Sequence, residues 1–286
     1  MHTALPLTSR PDYERFLAQE TAYFPRATRE AVARLLTSSL PAEAEWIARE
    51  REGFPDDLSL IGDAPDVLVY EGDIRLLSRQ VRLVVAGSRE APQARCEETE
   101  RLCTALSRHG ITVMSGLVSA IDIAAHRGSL AAVREDAAAA SSCAIVAAPL
   151  GAPWPYGRHE FARELCDAGG LIVSLTPQVR GLSMSEAERV EVHNYRQRVT
   201  AALATAVLIM HVEAGGFTQK LIEEAVALER PVIIWDRAFE PGRVPAVEAL
   251  LENPPVDATG RPLVMRAGDA GTIEEAISAW QLVWWL

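Results

Sequence analysis

Three residues with anion-binding chemistry follow a buried strand in the segment LVVAGSRE, residues 83–90. Gly87 lets the backbone approach a ligand, Ser88 offers a hydroxyl, and Arg89 offers a guanidinium. In a Rossmann-type sheet, the loop after the first strand lies at the carboxyl end, where the next helix points unpaired N–H groups at an anion. The spacing predicts a phosphate-binding loop, with a glycine needed only for turn geometry as the alternative.

A second strand, glycine turn and helix follow in VMSGLVSAIDIAAHRGSL, residues 113–130. Ser115 and Gly116 repeat the chemistry of the first loop at what should be a neighbouring strand end. Asp122 and His126 stand four residues apart, so on a helix they share a face and can hydrogen-bond. Such a bond would orient the imidazole and favour its charged form. Two interpretations stay open for the pair: a catalytic acid/base dyad and a structural pair that fixes the turn.

An aromatic and basic loop, PWPYGRH, follows a later strand. Trp154 and Tyr156 offer ring faces that can stack bases, and Arg158 can contact phosphate. Aromatic side chains beside prolines can equally well cap the end of a sheet. The loop is therefore a possible part of a nucleic-acid site, with a structural role as the alternative.

The elements that must position these residues alternate short β-branched runs with longer amphipathic stretches from Val81 onward. This pattern is typical of repeated βα units around a parallel sheet. Strands such as LIVSL and AVLIMHV are nearly continuously apolar, which indicates burial on both faces. We predict an α/β fold with a doubly wound, mostly parallel Rossmann-like sheet. The predicted strands are 67–70, 82–86, 112–115, 144–147, 171–174, 207–211, 231–235 and 263–265, and the predicted helices are 93–108, 120–133, 160–168, 186–204 and 219–229.

Two regions are expected along the chain. Residues 1–53 are predicted to form a small helical N-terminal region, because apolar residues recur at spacings of three and four within 12–52. Residues 54–286 are predicted to form the Rossmann-like domain, with a turn-rich connector at 54–80. A proline-rich loop is predicted after Trp235. The last helix is predicted to start at Thr272, since Glu275 completes a capping-box spacing.

The composition is that of a globular protein, with 286 residues and 49% hydrophobic content. The four cysteines form no CxxC pair and adjoin no histidine cluster, so neither a metal site, a cofactor nor a disulfide framework is predicted. His193 and His211 are interpreted as structural. The sequence contains no apolar run near the roughly 20 residues of a membrane span, and it does not start like a signal peptide. We expect a cytoplasmic protein without membrane contact.

The formal net charge of −11 works against nucleic-acid binding, because non-specific affinity comes from neutralising phosphates. A local basic groove remains compatible with that charge. The basic residues are nearly all arginine, with Lys220 as the only lysine. Arginine contacts phosphate in a bidentate manner, although compositional bias of the source genome explains the arginines as well.

Several motifs resemble, in one order, those of the DprA (Smf) family. FPDDLSLIGDAPDVLVYEGD is similar to its proline-led lead-in, VAGSR to its GSR loop, and SGLVSAIDIAAHRGSL to its SGxxxGIDxxAH helix start. PLGAPWPYGRHEFARELCDAGGLIVS is similar to its segment of proline loop, helix, glycine and strand, and YRQRVTAALATAVLIM resembles its RNRIIAGLSxAVLVV. The resemblance covers about residues 54–235.

This resemblance implies a Rossmann-like protein that binds single-stranded DNA, commonly as a homodimer, and helps to load a RecA-type recombinase during DNA uptake. It implies that Gly87, Ser88 and Arg89 face DNA phosphates. The residues that match its other motifs are Ser115, Gly116, Asp122 and His126 in the second motif, and Arg196 and Arg198 in the RNR segment, where the arginines would extend a positive strip.

The chain departs from the family pattern at three places. Ala120 stands where the family has a glycine, and Gln197 replaces the asparagine between the two arginines. The segment GGFTQKLIEEA, residues 215–225, replaces SGxLxTAxxA and brings a lysine and two glutamates to the rim of the predicted site.

The same segment is also similar to the PGGxGTxxE loop of the lysine-decarboxylase-like (LOG) phosphoribohydrolases. Glu223 or Glu224 would then assist glycosidic cleavage of a small nucleotide, with Arg196 on its phosphate. An exposed glutamate pair on a helix is the alternative, and Ala214 stands where that loop has proline. The possible rim residues of either site are Gly215, Gly216 and Lys220.

Together these observations predict a non-catalytic protein that binds single-stranded DNA, with a sensor or hydrolase of a small nucleotide as the rival. The predicted binding residues are Gly87, Ser88, Arg89, Ser115, Gly116, Arg196 and Arg198.

Overall fold

A mixed sheet flanked by helices forms the framework of the protein. The computed structural model describes residues 43–150, 158–175, 186–239, 244–269, 271–273 and 275. Its strands are β1 (Glu45–Ala48), β2 (Val67–Gly72), β3 (Arg82–Gly87), β4 (Thr112–Ser115), β5 (Cys143–Val146), β6 (Leu171–Ser174), β7 (Ala206–His211), β8 (Val232–Trp235) and β9 (Val264–Ala267). Its helices are α1 (Gln93–Arg108), α2 (Ala120–Glu135), α3 (His159–Asp167), α4 (Glu186–Leu203), α5 (Phe217–Ala227) and α6 (Pro245–Glu252), with 3₁₀ turns at Asp56–Leu60 and Ile74–Ser78.

The order of the strands creates a switch point at the centre of the sheet. The described strands lie in the order β1-β2-β6-β5-β4-β3-β7-β8-β9, and those from β6 to β9 are parallel. The chain moves outward from β3 to β6 on one side and then returns to place β7 on the other side of β3. Loops leaving β3 and β7 therefore diverge, which opens a crevice at their carboxyl ends. The predicted doubly wound Rossmann-like fold is confirmed.

The core lies on both faces of this sheet, because successive side chains of a strand point to opposite faces. In β5, Ile145 belongs to the larger hydrophobic cluster, whereas Ala144 and Val146 belong to the smaller one. In β6, Ile172 packs in the smaller cluster while its neighbours Leu171 and Val173 pack in the larger. Burial on both faces explains the continuous apolar runs in the sequence.

Three local predictions were wrong. Residues 45–48 were predicted as helix but form β1, which pairs antiparallel with β2. A helix, α6, lies in the region predicted as a proline-rich loop, and Pro245 occupies its first turn, where a missing N–H costs nothing. The last helix is capped by Asp269, whose carboxylate accepts the backbone N–H of Thr272 at 2.8 Å. Thr272 is therefore inside that helix rather than at its cap.

The remaining N-terminal prediction, a helical region before residue 43, lies outside the described residues. Within the part of the chain that is described, no helix combines the length and the apolar character needed to cross a bilayer.

Candidate anion-binding cleft

A cleft of about 510 Å³ opens at the switch point between β3 and β7. It is bounded by the loop after β3, the turn before α2, one face of α4, and the loop and first turn of α5. Polar and charged residues line it, namely Ser88, Arg89, Ser115, Ser119, Asp122, His193, Asn194, Arg196, Gln197, Thr200, Glu213, Thr218 and Lys220. The structure thus brings together two of the glycine loops singled out in the sequence.

Backbone hydrogen bonds join the loops after β3 and β7. The backbone N–H of Ser88 donates to the carbonyl of His211 at 3.1 Å, and the N–H of Glu213 donates to Ser88 Oγ at 2.9 Å. Because Ser88 Oγ accepts here, its own hydroxyl hydrogen is left to donate to a ligand. At Gly87, a Cβ would lie only 2.5 Å from Cγ1 of Ile121, so the glycine lets α2 pack against the end of β3.

The loop after β4 is held by hydrogen bonds within the protein. Ser115 Oγ donates to the carbonyl of Val85 at 2.7 Å and lies 3.2 Å from Asp122 Oδ1. Asp122 completes a capping box with Ser119 at the start of α2, and its Oδ2 also accepts the N–H of Val118 at 2.9 Å. The hydroxyl of Ser115 is therefore committed to joining β4 to β3, although the residue lines the cleft.

His126 does not bond to Asp122, contrary to the sequence prediction. Its Nε2 lies 2.9 Å from the carbonyl oxygen of Gly116 and its Nδ1 lies 2.9 Å from Ser142 Oγ. A carbonyl only accepts, so Nε2 carries the hydrogen and Nδ1 accepts from the hydroxyl. Burial lowers the pKa of His126 to about 4, which favours the neutral ring, and Asp122 bonds to its own turn instead. The predicted direct bond between Asp122 and His126 was wrong, and although the Asp122 carboxylate raises the pKa of His126 as predicted, burial outweighs it.

Arg196 places its guanidinium over the glycine turn. A Cβ at Gly116 would lie 2.9 Å from Nη1 of Arg196 and 2.6 Å from Oδ2 of Asp122, so only glycine leaves room for the two groups. The Nε of Arg196 is buried and has no hydrogen-bond partner among the described residues. Burial lowers the pKa of Arg196, the Asp122 carboxylate raises it, and Arg89 lowers it. An arginine stays protonated in proteins, so Arg196 keeps a positive charge at the cleft that it lines.

The glycine pair Gly215–Gly216 directly precedes α5. Gly215 and Gly216 line the cleft, and Gly216 caps α5 without a side-chain hydrogen bond, so the cap residue offers no side-chain acceptor to the first-turn N–H groups of α5. Lys220 also lines the cleft, but its Nζ lies 3.0 Å from Oε1 of Glu224 and 3.7 Å from Oε2 of Glu223. The lysine is therefore partly neutralised by its own helix.

Arg198 lies outside the cleft, which corrects its predicted place in the groove. It pairs with Asp63, and its Nε lies 3.4 Å from Oε2 of Glu224. Positions two apart on a helix point about 200° away from each other, so Arg196 and Arg198 cannot share one face. Glu223 and Glu224 are also absent from the described lining of the cleft. Neither glutamate is therefore in place to assist the alternative reaction, cleavage of a glycosidic bond of a nucleotide in the cleft.

The described residues of the aromatic loop do not line the cleft. Trp154 and Tyr156 lie outside the described residues. Arg158 is half-buried at the start of α3 and does not belong to the lining that the described residues give the cleft.

Sequence reasoning missed part of the face that α4 turns toward the cleft. His193, Gln197 and Thr200 line the cleft together with Arg196. Gln197 and Thr200 are only 5% exposed, so their polar groups are directed inward. The available signal was the spacing from His193, because Arg196, Gln197 and Thr200 follow it by three, four and seven residues and therefore share one face of a helix.

Comparisons with known proteins agree with this geometry. The sequence model of the DNA recombination-mediator protein A family matches residues 45–254. The chain is 24% identical over 195 residues to protein Smf of Borreliella burgdorferi and 29% identical over 219 residues to protein Smf of Escherichia coli. These matches cover 66% and 74% of the chain but 56% and 52% of the relatives, so the chain spans about half the length of these curated relatives.

A solved structure shows the same fold. DNA processing protein A from Helicobacter pylori, which has a unique single-stranded DNA binding mode, superposes with a TM-score of 0.64 at 18% identity. The superposition covers 82% of this chain and 96% of that one.

Proposed function

Because the chain belongs to the DNA recombination-mediator protein A family, we propose that it binds single-stranded DNA through the cleft at its switch point. Its output is binding rather than turnover. Family membership supports a role in DNA processing and recombination, and the cleft supplies the chemistry that a phosphodiester needs.

One observation carries this proposal: donors that the described protein does not use belong to residues that line one cleft. The buried Nε of Arg196 has no partner among the described residues, the hydroxyl hydrogen of Ser88 is available, and the start of α5 lacks a side-chain cap. Arginine and helix N-termini are the usual protein groups that bind phosphate oxygens. A phosphate here would satisfy donors that the described part of the protein leaves open.

The charge of the cleft also differs from that of the whole chain. Arg89, Arg196 and Lys220 line it against Asp122 and Glu213, whereas the chain carries a formal net charge of −11. Asp122 is hydrogen-bonded within its own turn. Because the remainder of the protein is acidic, we expect it to disfavour phosphate contact outside this cleft.

Salt dependence tests the proposal. Three cationic side chains on three phosphates predict that log K falls with log salt concentration with a slope of about −2, since each phosphate of a single strand contributes about 0.7. Fluorescence anisotropy with a labelled oligo-dT across a sodium chloride series measures this slope. Failure to bind the oligonucleotide even at low salt would remove the proposed function.

Glu224 is expected to limit the affinity. Glu224→Gln frees Lys220 from its 3.0 Å ion pair, so single-stranded DNA binding should strengthen several-fold, by about 1 kcal/mol. Glu223→Gln is the matched control, because it makes the same change of net charge on the same helix at a more exposed and more distant glutamate. Equal gains in both variants would show that only net charge matters.

We further infer from family membership that the protein acts as a cytoplasmic homodimer and helps to load a RecA-type recombinase onto the bound strand. Light scattering of the protein alone, and strand-exchange assays with a recombinase, test these two inferences separately.

A further inference from the structure

His193 lines the cleft and has a ring nitrogen without a hydrogen-bond partner among the described residues. It lies on α4, lines the cleft, and packs against Phe217 with ring centroids 4.8 Å apart. Its Nδ1 is buried and has no hydrogen-bond partner among the described residues. A buried polar atom without a partner is costly, so its presence beside a binding cleft indicates that a ligand or solvent completes it.

The groups around His193 are mainly cationic. Burial lowers its pKa, Arg196 and Arg89 lower it further, and Glu186 acts in the opposite direction. Around the cleft, the charged groups on each neighbouring element are Arg89 after β3, Asp122 on α2, Arg196 on α4, Glu213 before α5 and Lys220 on α5. In the empty cleft the neutral imidazole is therefore favoured at neutral pH, because a third positive charge would repel the two arginines.

We propose that His193 is a third anion-binding residue of the cleft, one that takes up a proton when a phosphate binds beside Arg89 and Arg196. This inference rests on the proposed function. The bound phosphate brings a negative charge to the ring and accepts a hydrogen bond from a protonated nitrogen. Both effects favour the imidazolium, so anion binding and proton uptake strengthen each other.

The direction of the pH effect follows from this linkage. A group that binds its proton more tightly in the complex than in the free protein makes the complex more stable as pH falls through the range between its two pKa values. Affinity should rise from about pH 7.5 to about pH 5.5, where an ordinary histidine titrates. His126 does not contribute in this range, since burial lowers its pKa to about 4.

An NMR titration of the full chain tests the proposal without DNA. The His193 resonance is assigned by its loss in His193→Gln, and its pKa is measured in sodium sulfate and in sodium chloride of equal ionic strength. Sulfate keeps its charge throughout the titration and resembles a phosphate in shape. We expect sulfate to raise the pKa of His193 by about one unit. An unchanged pKa would overturn the proposal, whether or not the protein binds DNA.

Oligonucleotide binding gives the second readout. For oligo-dT, whose phosphodiesters and bases do not titrate in this range, one unit of pKa difference corresponds to an affinity gain of up to about tenfold at the lower pH. His193→Gln should lose this gain. His109→Gln, which alters an exposed histidine at the end of α1, should keep it. A gain that persists in His193→Gln contradicts the inference, whereas failure of the wild type to bind oligo-dT at any pH contradicts the proposed function.

Discussion

Arg196→Ala is expected to weaken single-stranded DNA binding by about 10- to 100-fold, the cost of losing hydrogen bonds from a charged donor to phosphate. The guanidinium of Arg196 is partly withdrawn from solvent beside Gly116, with a buried Nε that lacks a partner among the described residues. It is therefore preorganised to bind an anion, and screening by water is reduced. Anisotropy with a labelled oligo-dT at constant salt measures the loss.

Arg198→Ala is the matched control for that variant. It removes the same charge from the same helix, two residues away, but Arg198 pairs with Asp63 and Glu224 outside the cleft. We expect a change in affinity within about threefold, as for an exposed charge acting at long range. Equal losses in the two variants would mean that binding follows the charge of α4 rather than the geometry of the cleft.

Asp57→Ala is expected to destabilise the fold by about 3–5 kcal/mol, because it leaves two largely buried arginines without their shared carboxylate. Asp57 pairs with Arg82 and lies 2.7 Å from Nη2 of Arg230, and the two arginine side chains are only 10% and 12% exposed. Burial lowers the pKa of Arg82, and the Asp57 carboxylate is the main group that opposes this shift. Thermal unfolding should occur about 10 °C lower than in the wild type.

Asp56→Ala controls for the loss of an acidic residue in the same 3₁₀ turn, since Asp56 is exposed. Its unfolding temperature should stay close to that of the wild type. The Asp57 cluster lies at the amino ends of β3 and β8, opposite the cleft, so DNA affinity below the unfolding temperature should be unchanged. A stable Asp57→Ala protein would show that solvent or other carbonyls replace the carboxylate.

Most of the parallel sheet could be predicted because each buried strand is recognisable from its own apolar run. The run AVLIM in β7 is apolar at every position, and a buried central strand needs no distant partner to be recognised. β1 was missed because its four residues, EWIA, fit a helical spacing as well as a strand, and only pairing with β2 decides between them. Its prediction required knowledge of a contact that lies about 20 residues away in sequence.

The cleft could be predicted in part for a related reason. The glycine loops after β3 and β4 follow from strand order, since the carboxyl ends of parallel strands share one edge. The side chains of α4 depend instead on the rotation of that helix about its axis. Helical spacing could have predicted that Arg196 and Arg198 lie on different faces of α4 and that Arg196 and His193 share a face. It could not predict which of these faces meets the sheet.

The most direct test of the central claim is a crystal structure of the protein with a short oligo-dT. A phosphate oxygen within hydrogen-bond distance of Arg196 and of the Ser88–Arg89 loop is the predicted result. A strand bound on another face, with the cleft between β3 and β7 empty, would contradict the account.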